Sequence, residues 1–513
     1  MDENTKTIAK GAMFVFAGMV ISKPITYLWR VLIARYIGQE AYGILSIALA
    51  LLGIATVFAV LGFGGGLVRY TSFYFARKKY ADAKGVLLSV FSINIASSLF
   101  ICSVLVFFAK TIAKYFFHDS SMIWPVYIVA ATLPFSVFSS HFLALLNVKL
   151  RADYNAITKN VAEGIMKIIA TIAFIYVGYT ALAAILGYFI AIVGTFSLSA
   201  YFLFFKTDYG IILKEKAKCH YLELITYSIP LMLTGFVAVF LTYTDTMMIG
   251  YFRGLAETGI YNAALPTAQL LSIAACFTTL FYPLFIENYS KKKFAEMEKI
   301  FSTTVKWIFL FALPIVFVLV FFPDAILNFL WGKDYTRGAM ALSILAIGYF
   351  VSTVAGLSAS GLTAIKKQNI LLAITTAGTI LNVILNYLLI PVFGITGAAA
   401  ATAVSIIFIN GLCLFFIHKY LGIFPFSLNH AKGFLATLLA FVFTYITVKF
   451  FFPVTPLIVL LPALGGYLMI YFLIMVKMKI IDKDDLRLLK SLEKKSGLNM
   501  TFLERIIRRL CDI

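Results

Sequence analysis

The sequence predicts an all-α integral membrane protein: fourteen transmembrane helices, built as two parallel six-helix lobes around a central cavity plus two extra C-terminal helices. Three observations predict it. Apolar residues make up 62% of the 513 positions and charged residues 13%, with a mean hydropathy of +0.95, more apolar sequence than a water-soluble core can bury. The apolar residues are gathered into runs of the ~20 residues that span a bilayer. The chain also resembles itself at a single offset.

The runs start near residues 10, 41, 84, 121, 155, 180, 222, 255, 303, 338, 368, 393, 431 and 453. The first follows Lys6 and Lys10, continues through Lys23 and Arg30 and has no small-residue cleavage site, so it reads as a retained helix. An even number of spans puts both termini on one side. The set of alternate loops that includes the termini holds 33 of the 43 Lys and Arg residues, which predicts cytoplasmic termini in the cytoplasmic membrane. The opposite loops are short, the longest lying around Lys110 to Ser121 and Asp324 to Arg337. Membrane enzymes of glycan assembly usually need a sizeable outer domain, so the reading is not an enzyme.

The net charge of +20 does not point to nucleic acid, because the basic residues sit between apolar runs rather than in a solvated domain. Cys102, Cys219, Cys276, Cys413 and Cys511 are scattered, with no paired spacing and no histidine at ligand distance. Neither a metal centre nor a cofactor is expected.

At an offset of 216, Gly38, Gly43 and Ile44 fall on Gly254, Gly259 and Ile260, Leu146 on Leu362, Arg151 on Lys367, and Gly178 on Gly394. Between the second and third helices the offset is 214, where Arg77-Lys78-Lys79-Tyr80-Ala81-Asp82 matches Lys291-Lys292-Lys293-Phe294-Ala295-Glu296. The shared offset predicts two copies of a six-helix unit that cross the membrane in the same direction, and alternating access between them. The expected organisation is an N-lobe over 1–220, a C-lobe over 221–420, two further helices over 421–478 and an amphipathic cytoplasmic tail over 479–513. In that tail Glu504 completes a capping box opened by Thr501.

The run Thr244-Asp245-Thr246-Met247-Met248-Ile249-Gly250-Tyr251-Phe252, with Gly259-Ile260-Tyr261-Asn262-Ala263-Ala264 behind it, resembles the polysaccharide transporters of the multidrug/oligosaccharidyl-lipid/polysaccharide exporter superfamily. So do Leu381-Asn382-Val383-Ile384-Leu385-Asn386-Tyr387-Leu388-Leu389-Ile390-Pro391 leading into Gly394-Ile395-Thr396-Gly397, and the opening Lys10-Gly11-Ala12 with Ala34-Arg35-Tyr36-Ile37-Gly38. The resemblance covers about residues 5 to 480. It implies a flippase that reorients a polyprenyl-phosphate-linked glycan, with membrane lipids as further partners and H⁺ or Na⁺ as a coupling ion. An ion-coupled small-molecule exporter of the same fold is the alternative.

Charges inside the bilayer cost about 2.5–3.5 kcal/mol each on insertion scales, so each should face a cavity or a partner. Lys23 and Arg30 are seven residues apart on one face of the first helix, with Pro24 between them, and suit phosphate or acidic sugars. Asp245 is the repeat counterpart of Trp29, so an Arg30–Asp245 ion pair is expected, with bonding of Asp245 to neighbouring hydroxyls as the other reading. Glu163 and Lys167 are four apart in the fifth helix, the favourable order for an intrahelical pair, and serve either structure or cargo. Asn382 and Asn386 repeat the spacing in the eleventh, where interhelical hydrogen bonding competes with cargo contact.

Overall fold

Apolar runs of this length can satisfy their backbone groups in hydrocarbon only as helices, and the computed structural model of the chain has no strand among its described residues. Those residues are 22–149, 151–207, 209, 215–219, 221–426, 428–451, 457–478 and 480. The tail expected after 478 therefore lies outside them, apart from Ile480.

The helices are α1 (22–36), α2 (Gln39–Val60), α3 (Phe63–Ala76), α4 (Tyr80–Thr111), α5 (Ile123–Val148), α6 (Glu163–Tyr176), α7 (Ala181–Phe205) and α8 (Tyr221–Arg253). After them come α9 (Leu255–Ala268), α10 (Thr278–Ser290), α11 (Phe294–Phe321), α12 (Pro323–Leu330), α13 (Ala339–Ala355), α14 (Leu357–Ala364), α15 (Gln368–Leu421), α16 (Leu428–Phe451) and α17 (Leu457–Lys477). Among the described residues nine helical segments are long and apolar enough to cross a membrane. This is a multi-pass membrane protein. The first and fourteenth of the expected fourteen fall partly outside the described residues. The eleventh and twelfth expected spans are counted together in one of the nine segments, α15, which is two helices meeting at a kink at Gly394, with φ 59° and ψ −137°. The fifth is divided between a π-helical stretch, Ala156–Ala162, and the fourteen residues of α6. The eighth is broken by the 3₁₀ turns of Gln269–Phe277.

The chain divides into two compact units. The first comprises Met1–Asn262 and Ile390–Ile395. In it α2 packs on α4, α5, α7 and α8, and α7 packs on α5 and α6. An apolar core of Phe63, Leu67, Val86, Val90, Phe142, Leu146 and Leu203 joins α3, α4, α5 and α7. The second comprises Ala263–Leu389 and Thr396–Ile513. There α11 packs on α13 and α16, and Leu310, Ala436, Ala440, Tyr467 and Tyr471 form a core with α17.

Where helices are interrupted, side chains take up the freed backbone groups. Between α2 and α3, Leu61 and Gly62 are left-handed, at φ 52° and 74°. Asn94 of α4 donates to the stranded carbonyls of Ala59 (2.6 Å) and Val60 (3.1 Å), and its own oxygen lies 3.0 Å from Nε2 of His141. Arg253 donates from Nε to Ile390 O (3.1 Å) and from Nη2 to Pro391 O (2.6 Å), just before the break at Gly394. Before the π stretch, Arg151 binds Asp153 through two hydrogen bonds (3.0 and 2.8 Å), which hold that carboxyl below the usual carboxylate range. Arg151 also lies 3.7 Å from the Tyr154 ring, which stacks on Phe202 at 4.3 Å.

The sequence offset recurs in the backbone. Helices α3 and α10 both end on a left-handed lysine, Lys78 and Lys292, closed by Lys79 N to Tyr74 O and by Lys293 N to Asn288 O, two Schellman turns 214 residues apart. At 216 residues, Gly38 and Gly254 both have positive φ, as do Gly178 and Gly394. The repeated Gly43 and Gly259 also meet in space. A Cβ on Gly43 would overlap the Leu255 carbonyl, and a Cβ on Gly259 would overlap the Gln39 carbonyl, the repeat counterpart of Leu255. The first turns of α2 and α9 thus cross backbone to backbone in a reciprocal contact, as small residues permit between membrane helices.

Gly259→Ala is therefore expected to cost about 1–3 kcal/mol by overpacking and to lower the thermal midpoint of the detergent-solubilised protein. Gly411→Ala, where a Cβ meets open space, should leave the midpoint unchanged or raise it. Equal midpoints for the two variants would contradict the crossing.

Candidate functional site: a cationic, aromatic cavity in the first unit

Helix α1 turns Ser22, Thr26, Trp29 and Arg30 to one side, the i, i+4, i+7, i+8 stripe of an amphipathic helix. That side faces a cavity of about 540 Å³ within the first unit. Tyr42, Ser46 and Thr56 of α2, Lys159 and Asn160 of the π stretch, Glu163 and Lys167 of α6, Tyr188 of α7 and Tyr243 of α8 also line it.

The charged core is a triad. Glu163 is buried, and each of its carboxylate oxygens takes one lysine: Lys159 Nζ at 2.7 Å on Oε2 and Lys167 Nζ at 2.6 Å on Oε1. Thr195 Oγ1 lies 3.4 Å from Oε2 while donating to Ala191 O at 2.8 Å. Lys167 is almost enclosed and rests over two rings, 4.7 Å from Tyr188 and 5.6 Å from Trp29. Trp29 is fixed in turn by its indole N–H, which donates to Thr171 Oγ1 at 2.9 Å. Close packing brings these elements together: a Cβ on Gly164 would press on Ile25, one on Gly194 on Met166, and one on Gly187 on Thr171. Arg30, half-buried, bonds the Tyr42 hydroxyl, which itself donates to Asn262 O at 3.0 Å. Arg30 also lies within electrostatic reach of Tyr188 and Tyr243. Three cations and one carboxylate leave the lining with a net charge of +2, so the cavity favours an anion, and the ring faces offer apolar contact to a sugar or prenyl group.

Of the residues singled out from sequence, Arg30, Glu163 and Lys167 meet in this cavity. Lys23 is exposed beside the lining residue Ser22 and is not part of the lining. Asp245 is buried in the first unit, outside the lining, and accepts a 2.6 Å bond from the Tyr261 hydroxyl. Asn382 and Asn386 are buried in the second unit; Asn386 Nδ2 donates to Asn382 Oδ1 (3.0 Å) and Asn382 Nδ2 to Thr402 Oγ1 (3.3 Å), across the two halves of α15. Sequence reasoning missed Lys159, counted with a cytoplasmic loop, although the spacing Lys159-x₃-Glu163-x₃-Lys167 carried the signal. Trp29, Tyr42, Tyr188 and Tyr243 gave no signal, since only the packing of distant helices sets them around one space.

A many-helix membrane architecture with a polar cavity inside one unit defines the class as a membrane carrier fold. The profile of the polysaccharide biosynthesis protein family matches residues 8–289, and the MatE profile matches 230–388. The chain belongs to the polysaccharide biosynthesis protein family, in the multidrug/oligosaccharidyl-lipid/polysaccharide exporter superfamily that its sequence resembles. It is 24% identical over 399 residues to the probable low-salt glycan biosynthesis flippase Agl15 of Haloferax volcanii, covering 78% of this chain and 81% of the relative. It is 22% identical over 380 residues to the putative O-antigen transporter of Shigella flexneri, covering 73% and 89%. Its fold is similar to that of the lipid II flippase MurJ in an inward closed conformation, with a TM-score of 0.73 and 18% identity over 91% of this chain and 98% of MurJ.

Removing one partner from a buried ion pair costs about 3–5 kcal/mol, whereas replacing both by apolar groups is often neutral. Lys167→Met should therefore lower the thermal midpoint, and Glu163→Leu combined with Lys167→Met should recover most of the loss. A double variant no better than the single one would show that the two residues are not coupled.

Proposed function

We propose that the protein is a flippase that carries a lipid-linked oligosaccharide across the cytoplasmic membrane, holding the anionic head group in the first-unit cavity while the lipid tail stays in the bilayer. The observation that carries this is the net positive, aromatic-lined cavity, in a chain whose relatives include a probable glycan flippase and a putative O-antigen transporter. Arg30 suits bidentate contact with phosphate. Lys159 and Lys167 add point charges, and Lys23 contributes its charge beside the lining residue Ser22. Asp245 and the Asn382–Asn386 pair act in our reading by fastening helices.

In the arrangement we propose, the 216-residue repeat makes two parallel six-helix lobes within a fourteen-helix bundle with cytoplasmic termini. The reciprocal crossing at Gly43 and Gly259 would then lie on the outer side, as a closure that opens when the cavity faces outward. H⁺ or Na⁺ is the proposed coupling ion. No step calls for bond making, so the protein acts as a carrier and not as an enzyme. The match to the MatE profile supports one second reading, an ion-coupled small-molecule exporter of the same fold.

The test is flipping of a fluorescent polyprenyl-diphosphate oligosaccharide in proteoliposomes with imposed ion gradients. Wild type is expected to flip it, and Arg30→Ala to reduce the rate at least about tenfold, the loss of a charged hydrogen bond. Folded wild-type protein that flips none of it would shift the assignment to the small-molecule exporter.

A further inference from the structure

Resting on that cargo reading, we propose that Glu163 is a built-in competitor of the cargo's phosphates, whose task is to release them. A carboxylate with one lysine on each oxygen is the arrangement that a phosphate group would adopt between the same two lysines. Lys159 and Lys167 come from one turn before and one turn after Glu163, at 2.7 and 2.6 Å, so the two ammonium groups are already spaced to share one anion.

The lysines are not equally bound to it. The Lys159 side chain is 47% exposed, against 10% for Lys167, so an incoming anion meets Lys159 first. Lys167 is held on the carboxylate and by the faces of Tyr188 and Trp29 as well. Arg30, already in the lining, is a third donor with no carboxylate on it in this cavity. A diphosphate diester is doubly charged and matches the net +2 of the lining. It engages Arg30 and Lys159 and draws Lys159 off Glu163, whose carboxylate keeps Lys167 and has Thr195 nearby.

Glu163 is tethered, so it competes for Lys159 at a high effective concentration and re-forms that ion pair when the cargo moves. Uniformly tight binding would lower the amount of cargo needed for half-saturation without speeding the carrier. The carboxylate therefore weakens head-group binding and raises turnover.

The experiment uses the full chain in nanodiscs and, as probe, a water-soluble short-chain prenyl-diphosphate sugar. Glu163→Gln keeps the size of the side chain and one acceptor oxygen but removes the competing charge. Its dissociation constant for the probe is expected to fall at least about tenfold below wild type, the scale of one charged hydrogen bond. Its flipping rate at saturating cargo should fall as well. Folded Glu163→Gln protein that binds the probe no more tightly than wild type overturns the inference, since Glu163 would then only hold the lysines in place. Wild type that binds no diphosphate probe overturns the cargo reading and this inference with it. If Glu163→Gln does not fold, infrared difference spectra of wild type with and without the probe decide the matter. A shift of the ion-paired carboxylate band is expected, assigned by its change in Glu163→Asp, and an unchanged band overturns the inference.

Discussion

An ionised carboxylate inside a helical membrane protein must be paired, because a lone charge there costs more than any one helix contact returns. Glu163 meets that demand with Lys159 and Lys167, and much of the first unit is arranged to make it possible. The π stretch supplies one lysine and α6 the other, while α1 and α7 bring the rings that cover Lys167. Small residues at Gly164, Gly187 and Gly194 let these helices approach closely enough for that. The same convergence leaves a space of about 540 Å³, so the pairing that makes the charges tolerable also makes the cavity that uses them.

The backbone obeys the same rule. Polar side chains sit at three of the places where a helix bends or stops: Asn94 at the end of α2, Arg253 at the break in α15, Arg151 and Asp153 at the entry to the π stretch. These devices let a chain of long apolar helices change direction without leaving carbonyls unsatisfied in hydrocarbon.

Much of this was legible in the sequence because apolar run length and repeat offset are local or periodic signals. The positions that matched at 216 residues, Gly43 and Gly259, proved to touch each other's helices, and Lys78 and Lys292 end their helices in the same left-handed turn. The Glu163–Lys167 pair was legible because it lies within one helical turn. Lys159 was not, since a charge count by loops assigns a residue at a helix entrance to the wrong side of the boundary. The spacing of Lys23 and Arg30 indicated one face of α1. The cavity stripe runs instead through Ser22, Thr26, Trp29 and Arg30, with Lys23 at its border, because a seven-residue step drifts about 20° around a helix. Tyr42 and Tyr261, which bond Arg30 and Asp245, are tyrosines on neighbouring helices that no spacing rule identifies. The break at Gly394 was legible, since the eleventh and twelfth runs were read apart there, whereas the 3₁₀ turns of Gln269–Phe277 gave no signal.

The central claim is that the first-unit cavity holds the anionic head group of the cargo. Electron cryo-microscopy of the protein in nanodiscs with a polyprenyl-diphosphate oligosaccharide tests it most directly. The account predicts density for the diphosphate within this cavity, in ion-pair reach of Arg30 and Lys159. A diphosphate bound elsewhere on the protein, with Arg30 and the Glu163 triad arranged as they are without cargo, would contradict it.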